Sequence, residues 1–214
     1  TYTQNQMNHI QYTLSPAALS LLLLGACSKG PATSSYTLPV ETGVSRQLAE
    51  HRSQTIRNVH YDIKLQIPTG NDAPIHASEV ISFDLSDLSQ PLQIDFKEKP
   101  EMLHALKVNG SVAPITFQNE HLVIGPKLLK VGKNEVQIEF TAGNLSLNRN
   151  EDFLYTLLVP DRARTVFPCF DQPDQKAPFT LTVTAPPGWL VAANGAANGA
   201  ANGAANGATN GDND

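Results

Sequence analysis

Through the middle of the chain, apolar and polar residues alternate with a period of two. Val59, Tyr61, Ile63, Leu65 and Ile67 are interleaved with His60, Asp62, Lys64 and Gln66, the pattern of a strand with one buried and one wet face. Pro68, Gly70, Asn71 and Asp72 then supply turn chemistry. The same pattern predicts strands at residues 77–85, with Ile81, Phe83 and Leu85 directed inward, and at residues 92–96, 103–108 and 122–124. Asn109-Gly110 closes the third of these. Residues 136–140, 153–157 and 179–183 alternate in the same way. Helical spacing occurs once. Within residues 44–58, Leu48, Arg52 and Ile56 stand four apart behind Ser45, a suitable N-cap, so a short helix is expected to lead into the strands. Close-spaced short strands without a second helical pattern predict an all-β fold, an antiparallel saddle or sandwich, rather than an alternating α/β fold.

The two ends break this pattern. Residues 14–24, LSPAALSLLLL, are almost wholly apolar. They are too few to cross a bilayer as a helix but have the length of a signal-peptide core. Leu24-Gly25-Ala26-Cys27 follows and resembles the lipobox of bacterial lipoproteins, in which the cysteine is acylated and becomes the mature N-terminus. The expected organisation is a signal peptide over 1–27 with lipidation at Cys27, a linker over 28–43, the β domain over 44–191, incomplete at its C-terminal end, and a tail over 192–214. A lipid anchor at Cys27 implies the envelope of a bacterium, at the outer membrane or its periplasmic face. The tail repeats Ala-Ala-Asn-Gly. A period of four matches neither helix nor strand, glycine adds backbone entropy, and no side chain is large enough to bury, so disorder is expected there.

Composition sharpens the picture in two places. The 214 residues allow one ordinary domain plus extensions, and the charged fraction of 16% is low because the two ends dilute it. Fifteen Lys and Arg against twenty Asp and Glu give a net charge of -5, and no basic run is present to track phosphates, which points away from nucleic acid. His9, His51, His60, His76, His104 and His121 include no H-E-x-x-H pair. Cys27 and Cys169 form no disulfide framework, and Cys169, with no local base, reads as a small buried hydrophobe. Neither a G-x-S-x-G elbow nor a phosphate-binding or dinucleotide glycine loop occurs. No catalytic residue, metal ligand or cofactor is therefore assigned to this chain.

Residues 162–177, RARTVFPCFDQPDQKA, stand apart. Pro168 and Pro173 fix the backbone near Phe167 and Phe170, while Arg164, Asp171, Asp174 and Lys176 bring opposite charges together, so a rigid, charge-crosslinked loop is expected. The stretch closely resembles the FPCFDxPxxKA signature in the N-terminal domain of the aminopeptidase N family of zinc aminopeptidases. Asn58-Val59-His60-Tyr61-Asp62-Ile63, Lys107-Val108-Asn109-Gly110, Gly132-Lys133-Asn134, Asp152-Phe153-Leu154-Tyr155-Thr156 and residues 186–195 are similar to segments of that domain in the same order. The resemblance covers residues 44–195.

The resemblance implies a β-saddle that forms the scaffold and one wall of the substrate cleft in an enzyme removing N-terminal residues from peptides. Its partners would be a thermolysin-like catalytic domain and a peptide substrate. Zinc belongs to that catalytic domain, whose H-E-x-x-H and G-x-M-E-N motifs do not occur in these residues, where the methionines are Met7 and Met102; this chain alone is expected to be inactive. Arg164, Phe167, Pro168, Cys169, Phe170, Asp171, Pro173 and Lys176 are implied to be structural or interfacial. Phe167, Phe170 and Phe179 are expected to form an apolar face toward the second domain, open to water in the isolated chain. In many family members a Glu or Gln eight residues before the signature's first Phe holds the substrate amine. Here that position is Val159, which offers no acceptor, and Asp161 is the nearest acidic candidate. The alternative reading is a free-standing β-sandwich lipoprotein that binds peptide, glycan or an envelope protein.

Overall fold

A computed structural model describes residues 37–194, 196–197 and 204–209. The apolar run over 14–24, Cys27 and most of the linker lie outside the described residues. Helix α1 (Arg46–Thr55) begins where the sequence places it, with the Ser45 hydroxyl accepting a hydrogen bond from the Leu48 N–H at 3.2 Å. Such a cap contributes about 1 kcal/mol. Leu48, Arg52 and Thr55 face inward, and α1 runs without a break into β1 (Ile56–Gln66).

The strands that follow are β2 (His76–Leu85), β3 (Leu92–Asp95), β4 (Leu103–Val108), β5 (Ser111–Val112), β6 (Phe117–Gln118), β7 (His121–Ile124), β8 (Gly132–Thr141), β9 (Leu147–Arg149), β10 (Leu154–Thr156), β11 (Phe179–Thr184), β12 (Ala196–Ala197) and β13 (Ala204–Thr209). An eight-stranded sheet has the order β12-β13-β11-β1-β2-β8-β4-β5. A three-stranded sheet, β3-β7-β6, and the β9-β10 hairpin stand apart from it. Alternation decides which face is buried. On β2 the inward positions are Ala77, Glu79, Ile81, Phe83 and Leu85, and on β8 they include Asn134, Val136, Ile138 and Phe140. Both sheets contribute to one core, in which Ile81, Ile94, Leu122 and Val136 are wholly buried. Each such side chain adds roughly 1.5–3 kcal/mol. Across the core Phe96 meets Phe140 edge to face at 5.9 Å. The β4-β5 turn uses Asn109 (φ 51°) and Gly110 (φ 82°), the left-handed pair that suits a two-residue hairpin.

Three features depart from the pattern reading. First, β11 runs parallel to β1, from Tyr61 opposite Phe179 to Gln66 opposite Thr184, while the other pairs are antiparallel. The long excursion between these two strands allows that direction, which a tight hairpin could not. Second, the alternation over 153–157 yields only the short strand β10, and its apolar residues are not covered. Phe153, Tyr155 and Leu157 are 48%, 46% and 59% exposed, in a hairpin whose strands pair only with each other. Third, the repeat contributes backbone to the large sheet. β13 pairs antiparallel with β11, and β12 pairs with β13. A period of four is a multiple of the strand period, so the sequence of the repeat does not conflict with an extended backbone. The outer edge of β11 also offers main-chain groups that any strand can satisfy.

Candidate functional site

The signature loop is anchored from below by a buried carboxylate. β3 ends at Asp95, whose backbone exchanges two hydrogen bonds with Cys169: Asp95 N–H to the Cys169 carbonyl at 2.8 Å and the reverse at 3.0 Å. The Asp95 side chain is 0% exposed. Arg52, pointing inward from α1, grips it with both terminal nitrogens, Nη1 to Oδ2 at 2.8 Å and Nη2 to Oδ1 at 2.5 Å. The backbone N–H of Asp171 donates to Oδ2 at 2.9 Å, and His121 Nδ1 lies 2.8 Å from Oδ1. Burial by itself would raise the Asp95 pKa, but the Arg52 guanidinium and the hydrogen bonds from His121 and Arg52 outweigh it and hold the carboxyl at about 2.

These charges are tied outward in turn. Arg52 Nη2 donates to the Gln93 carbonyl at 2.8 Å, and the guanidinium carbon sits 5.3 Å from the centre of the Phe170 ring. His121 Nε2 lies 2.8 Å and 3.0 Å from the carbonyl oxygens of Glu41 and Gly43, pinning the segment before α1. Gln172 Nε2 reaches Asp174 Oδ1 at 2.9 Å and the Ala49 carbonyl at 3.3 Å. One carboxylate thus holds together α1, β3, β7, the leading segment and the loop. Sequence reading passed over Asp95, Arg52 and His121 as a group. Two signals were present: a charge between Leu48 and Ile56 on the helix's apolar stripe, and an Asp inside the apolar run Leu92-Gln93-Ile94-Asp95-Phe96.

The loop itself is mostly interior. Arg164 is 8% exposed and is surrounded by carboxylates: Glu120 Oε2 at 3.3 Å, Asp161 Oδ2 at 3.5 Å and Asp171 Oδ2 at 4.0 Å. Its backbone N–H also donates to Asp171 Oδ2, at 3.1 Å. Glu120 reaches Arg164 from a left-handed backbone position, φ 66°, in the β6-β7 turn. Phe167 and Phe170 are 7% and 4% exposed, so they do not form the open apolar face expected of them. Phe170 packs edge-on against Phe83 at 5.8 Å, and Phe167 against Phe179 at 6.1 Å. Tyr61 stacks on Phe179 at 4.7 Å while its hydroxyl accepts from the Phe170 N–H at 2.9 Å. The loop folds back over the sheet and its aromatics complete the core. Cys169 is a free, buried cysteine; burial, with Asp171 and Asp95 nearby, pushes its thiol pKa well up, so it stays protonated. Pro168 is buried, while Pro173 and Lys176 are exposed.

A run of exposed apolar residues lies instead on the ribbon just before the loop. Phe153, Tyr155, Leu157 and Val159 follow one another along it, with Val159 84% exposed. A shallow cleft of ≈ 170 Å³ opens beside this ribbon, lined by Tyr61, Pro160, Ala163, Phe170, Asp171 and Phe179 among others. Val159, next in sequence to Pro160 of that lining, carries only an isopropyl group. The Asp161 carboxylate is 59% exposed and already faces Arg164. Among the described residues no three His, Cys, Asp or Glu side chains come together as metal ligands. The buried His121–Asp95 contact does not suit zinc either, because Asp95 is gripped by Arg52 and His121 Nε2 is turned to backbone carbonyls.

Fold and loop together define an N-terminal β domain of the kind carried by zinc metallopeptidases. The family model of the peptidase M1 N-terminal domain matches residues 57–209, and the chain belongs to that family. Aminopeptidase N of Streptomyces lividans is 30% identical over 167 residues, covering 72% of this chain and 19% of the relative. A probable M1 family aminopeptidase 2 of Encephalitozoon cuniculi is 27% identical over 154 residues, covering 66% and 18%. This chain therefore spans about a fifth of the length of the curated relatives it matches. Among solved structures, native leukotriene A4 hydrolase of Saccharomyces cerevisiae superposes with a TM-score of 0.59 at 18% identity, covering 73% of this chain and 27% of that one. An M1 zinc metallopeptidase of Deinococcus radiodurans gives 0.56 at 18% identity, covering 72% and 38%. Those two likenesses carry the fold.

Proposed function

We propose that this domain is the scaffold and cleft wall of a zinc aminopeptidase that removes N-terminal residues from peptides. Membership of the M1 N-terminal family carries this reading, and the exposed ribbon from Phe153 to Val159 supports it. Four apolar side chains left open beside a rigid loop fit a face that a catalytic domain covers. In this reading the catalytic domain contributes the zinc and the reacting groups, and the β domain contributes the ribbon and the loop. Asp161 stands near the cleft as the candidate contact for a substrate's α-amine, with Arg164 beside it to orient the carboxylate. The chain is anchored in the bacterial envelope through a lipid on Cys27, a reading that rests on the apolar run over 14–24 and the residues before the cysteine.

A chimera tests the central claim. Residues 44–191 replace the corresponding domain of the Streptomyces aminopeptidase N, and hydrolysis of a leucyl anilide is measured alongside zinc content and thermal unfolding. Zinc-loaded, cooperatively folded chimera is expected to retain kcat/KM within about a hundredfold of the parent, a loss of some 3 kcal/mol in transition-state binding. A chimera that folds and holds zinc yet shows no turnover would reject the assignment.

A further inference from the structure

We propose that His76 and His104 form a two-imidazole site for a late transition-metal ion, copper(II) or nickel(II), on the solvent face of the large sheet. β8 lies between β2 and β4, the strands that carry them. His76 is directly opposite Thr141 of β8. His104 reaches the same Thr141 from the other side, with Nε2 2.8 Å from the hydroxyl oxygen. Two strand spacings separate β2 from β4, about 9.5 Å, yet the two ring centroids stand only 6.3 Å apart. The rings therefore lean toward each other above Thr141. Simple alternation does not explain the position of His104. Leu103 and Leu106 are both buried, and the pairing with β8 moves from Leu103–Phe140 to Ala105–Glu139, two residues on β4 against one on β8. His104 is the extra residue of that bulge, and a bulge re-aims the side chain it carries.

Imidazole is a ligand for copper, nickel and zinc among the divalent ions. A ring nitrogen ligates at about 2.0–2.1 Å, so two rings on one ion have centroids roughly 5 to 6.5 Å apart, from the tetrahedral to the trans arrangement. The separation here falls at the far end, which suits tetragonal copper(II) or nickel(II) better than tetrahedral zinc. Thr141 is 7% exposed, and its contact with Nε2 holds the His104 ring while leaving Nδ1 to ligate, as outer-shell partners of metal-bound imidazoles do. No hydrogen bond joins the His76 ring to another described residue. Both imidazoles are exposed, so water completes the coordination. Lys64 and Glu139 line the same depression of ≈ 310 Å³, and their opposite charges leave the choice of ion to the two rings. Two protein ligands make a weaker site than the three or four of a resident zinc, so the bound ion exchanges with solution.

Urea unfolding of the full chain, with nickel(II) chloride added up to about 1 mM, tests the proposal. An ion that binds the folded pair and not the unfolded chain multiplies the folding equilibrium constant by 1 + [L]/Kd, about tenfold for each tenfold rise in free nickel beyond Kd. A lone imidazole binds the folded and unfolded chains alike and gives no such gain. The parent is expected to gain at least about fivefold in that constant at the highest nickel concentration, and excess EDTA should reverse the gain. His76→Gln and His104→Gln each alter an exposed side chain, and each should lose the gain when compared with its own metal-free unfolding. His60→Gln, on the same face of the sheet but with its imidazole 3.3 Å from the Thr180 hydroxyl, should keep it. No nickel-dependent gain in the parent would overturn the proposal. So would a gain that survives in either His76→Gln or His104→Gln, or one that His60→Gln also removes, because the ion would then be held elsewhere.

Discussion

Glu79 offers the sharpest test of how this domain is held together. It occupies an inward position on β2, between Ala77 and Ile81, with Ile63 of β1 and Ile138 of β8 directly beside it in register. It is 2% exposed, and neither carboxyl oxygen has a hydrogen-bond partner. Burial therefore pushes its pKa well above the ordinary carboxylate range. The folded state keeps a proton that the unfolded chain releases near pH ~4.3. Stability is consequently greatest below that pH and falls as pH rises toward the raised value, by about 1.4 kcal/mol for each pH unit in the window. Even when neutral, the acid leaves buried polar atoms unpaired, at about 1–3 kcal/mol. Glu79→Met removes both terms. Measured by urea unfolding followed by circular dichroism, the variant should be more stable than the parent by about 1–3 kcal/mol near pH 4.5, with the gap widening by roughly 1.4 kcal/mol per pH unit until the raised pKa is reached. Glu79→Gln should recover the pH-dependent part alone. The difference between parent and Met variant cancels the titration of every other group, so a gap that stays constant from pH 4.5 to 7.5, or narrows, would show that the carboxylate is satisfied and the reasoning wrong.

Two further substitutions probe the loop's anchorage. Asp95→Asn leaves the Arg52 guanidinium buried without its charge partner and should cost about 3–5 kcal/mol at neutral pH. Because the Asp95 pKa is depressed to about 2, its contribution is complete above the ordinary carboxylate value of about 3.9 and is lost as pH falls from there toward 2; the gap between parent and variant in denaturant midpoints should shrink over that interval. Gly143→Ala would drive a Cβ into the Thr165 carbonyl oxygen and the Glu98 carboxyl group, and should lower stability by about 1–3 kcal/mol or more. Adding Glu98→Ala should not rescue the thermal midpoint, since the backbone clash with Thr165 remains.

What could be read from the sequence follows from how each element is buried. β1, β2 and β8 were legible because each lays one face on a shared core, which imposes strict alternation. The parity that turns Ile81 and Phe83 inward also turns Glu79 inward, so the buried acid was available from the same pattern. α1 was legible through its Ser45 cap. The two-residue strands β5 and β6 carry too little pattern to detect. The Asn119-Glu120 turn adopts the left-handed conformation, φ 48° and 66°, without the glycine that usually marks it. The ribbon over 153–157 alternates as convincingly as β8 but has no second layer behind it, and periodicity reports a face without reporting what covers it. The signature loop was recognised as a motif. Its anchor was not, because Arg52 and Asp95 are separated by 43 residues and only the fold brings them together.

That anchor bears on how the exposed ribbon behaves. Asp95 holds the Asp171 backbone N–H at 2.9 Å, and Asp171 Oδ2 receives the Arg164 N–H at 3.1 Å. Arg164 in turn faces Asp161 at 3.5 Å, two residues beyond Val159 at the end of the ribbon. A chain of charge-assisted contacts thus runs from the core to the rim of the cleft, and each link is at least half buried except the last. The rim is in this way attached to the buried Arg52–Asp95 pair. A surface fixed beforehand loses little conformational freedom on docking, so more of the energy of covering Phe153, Tyr155, Leu157 and Val159 is left to favour association. If the chain of contacts is cut at Asp95 the ribbon keeps its apolar residues and the Arg149 bonds to Ala73, Pro68 and Gly70 that hold its hairpin, while the rim at Asp161 loses its tie to the core. Affinity for a covering domain should then fall even though no side chain in the interface has changed.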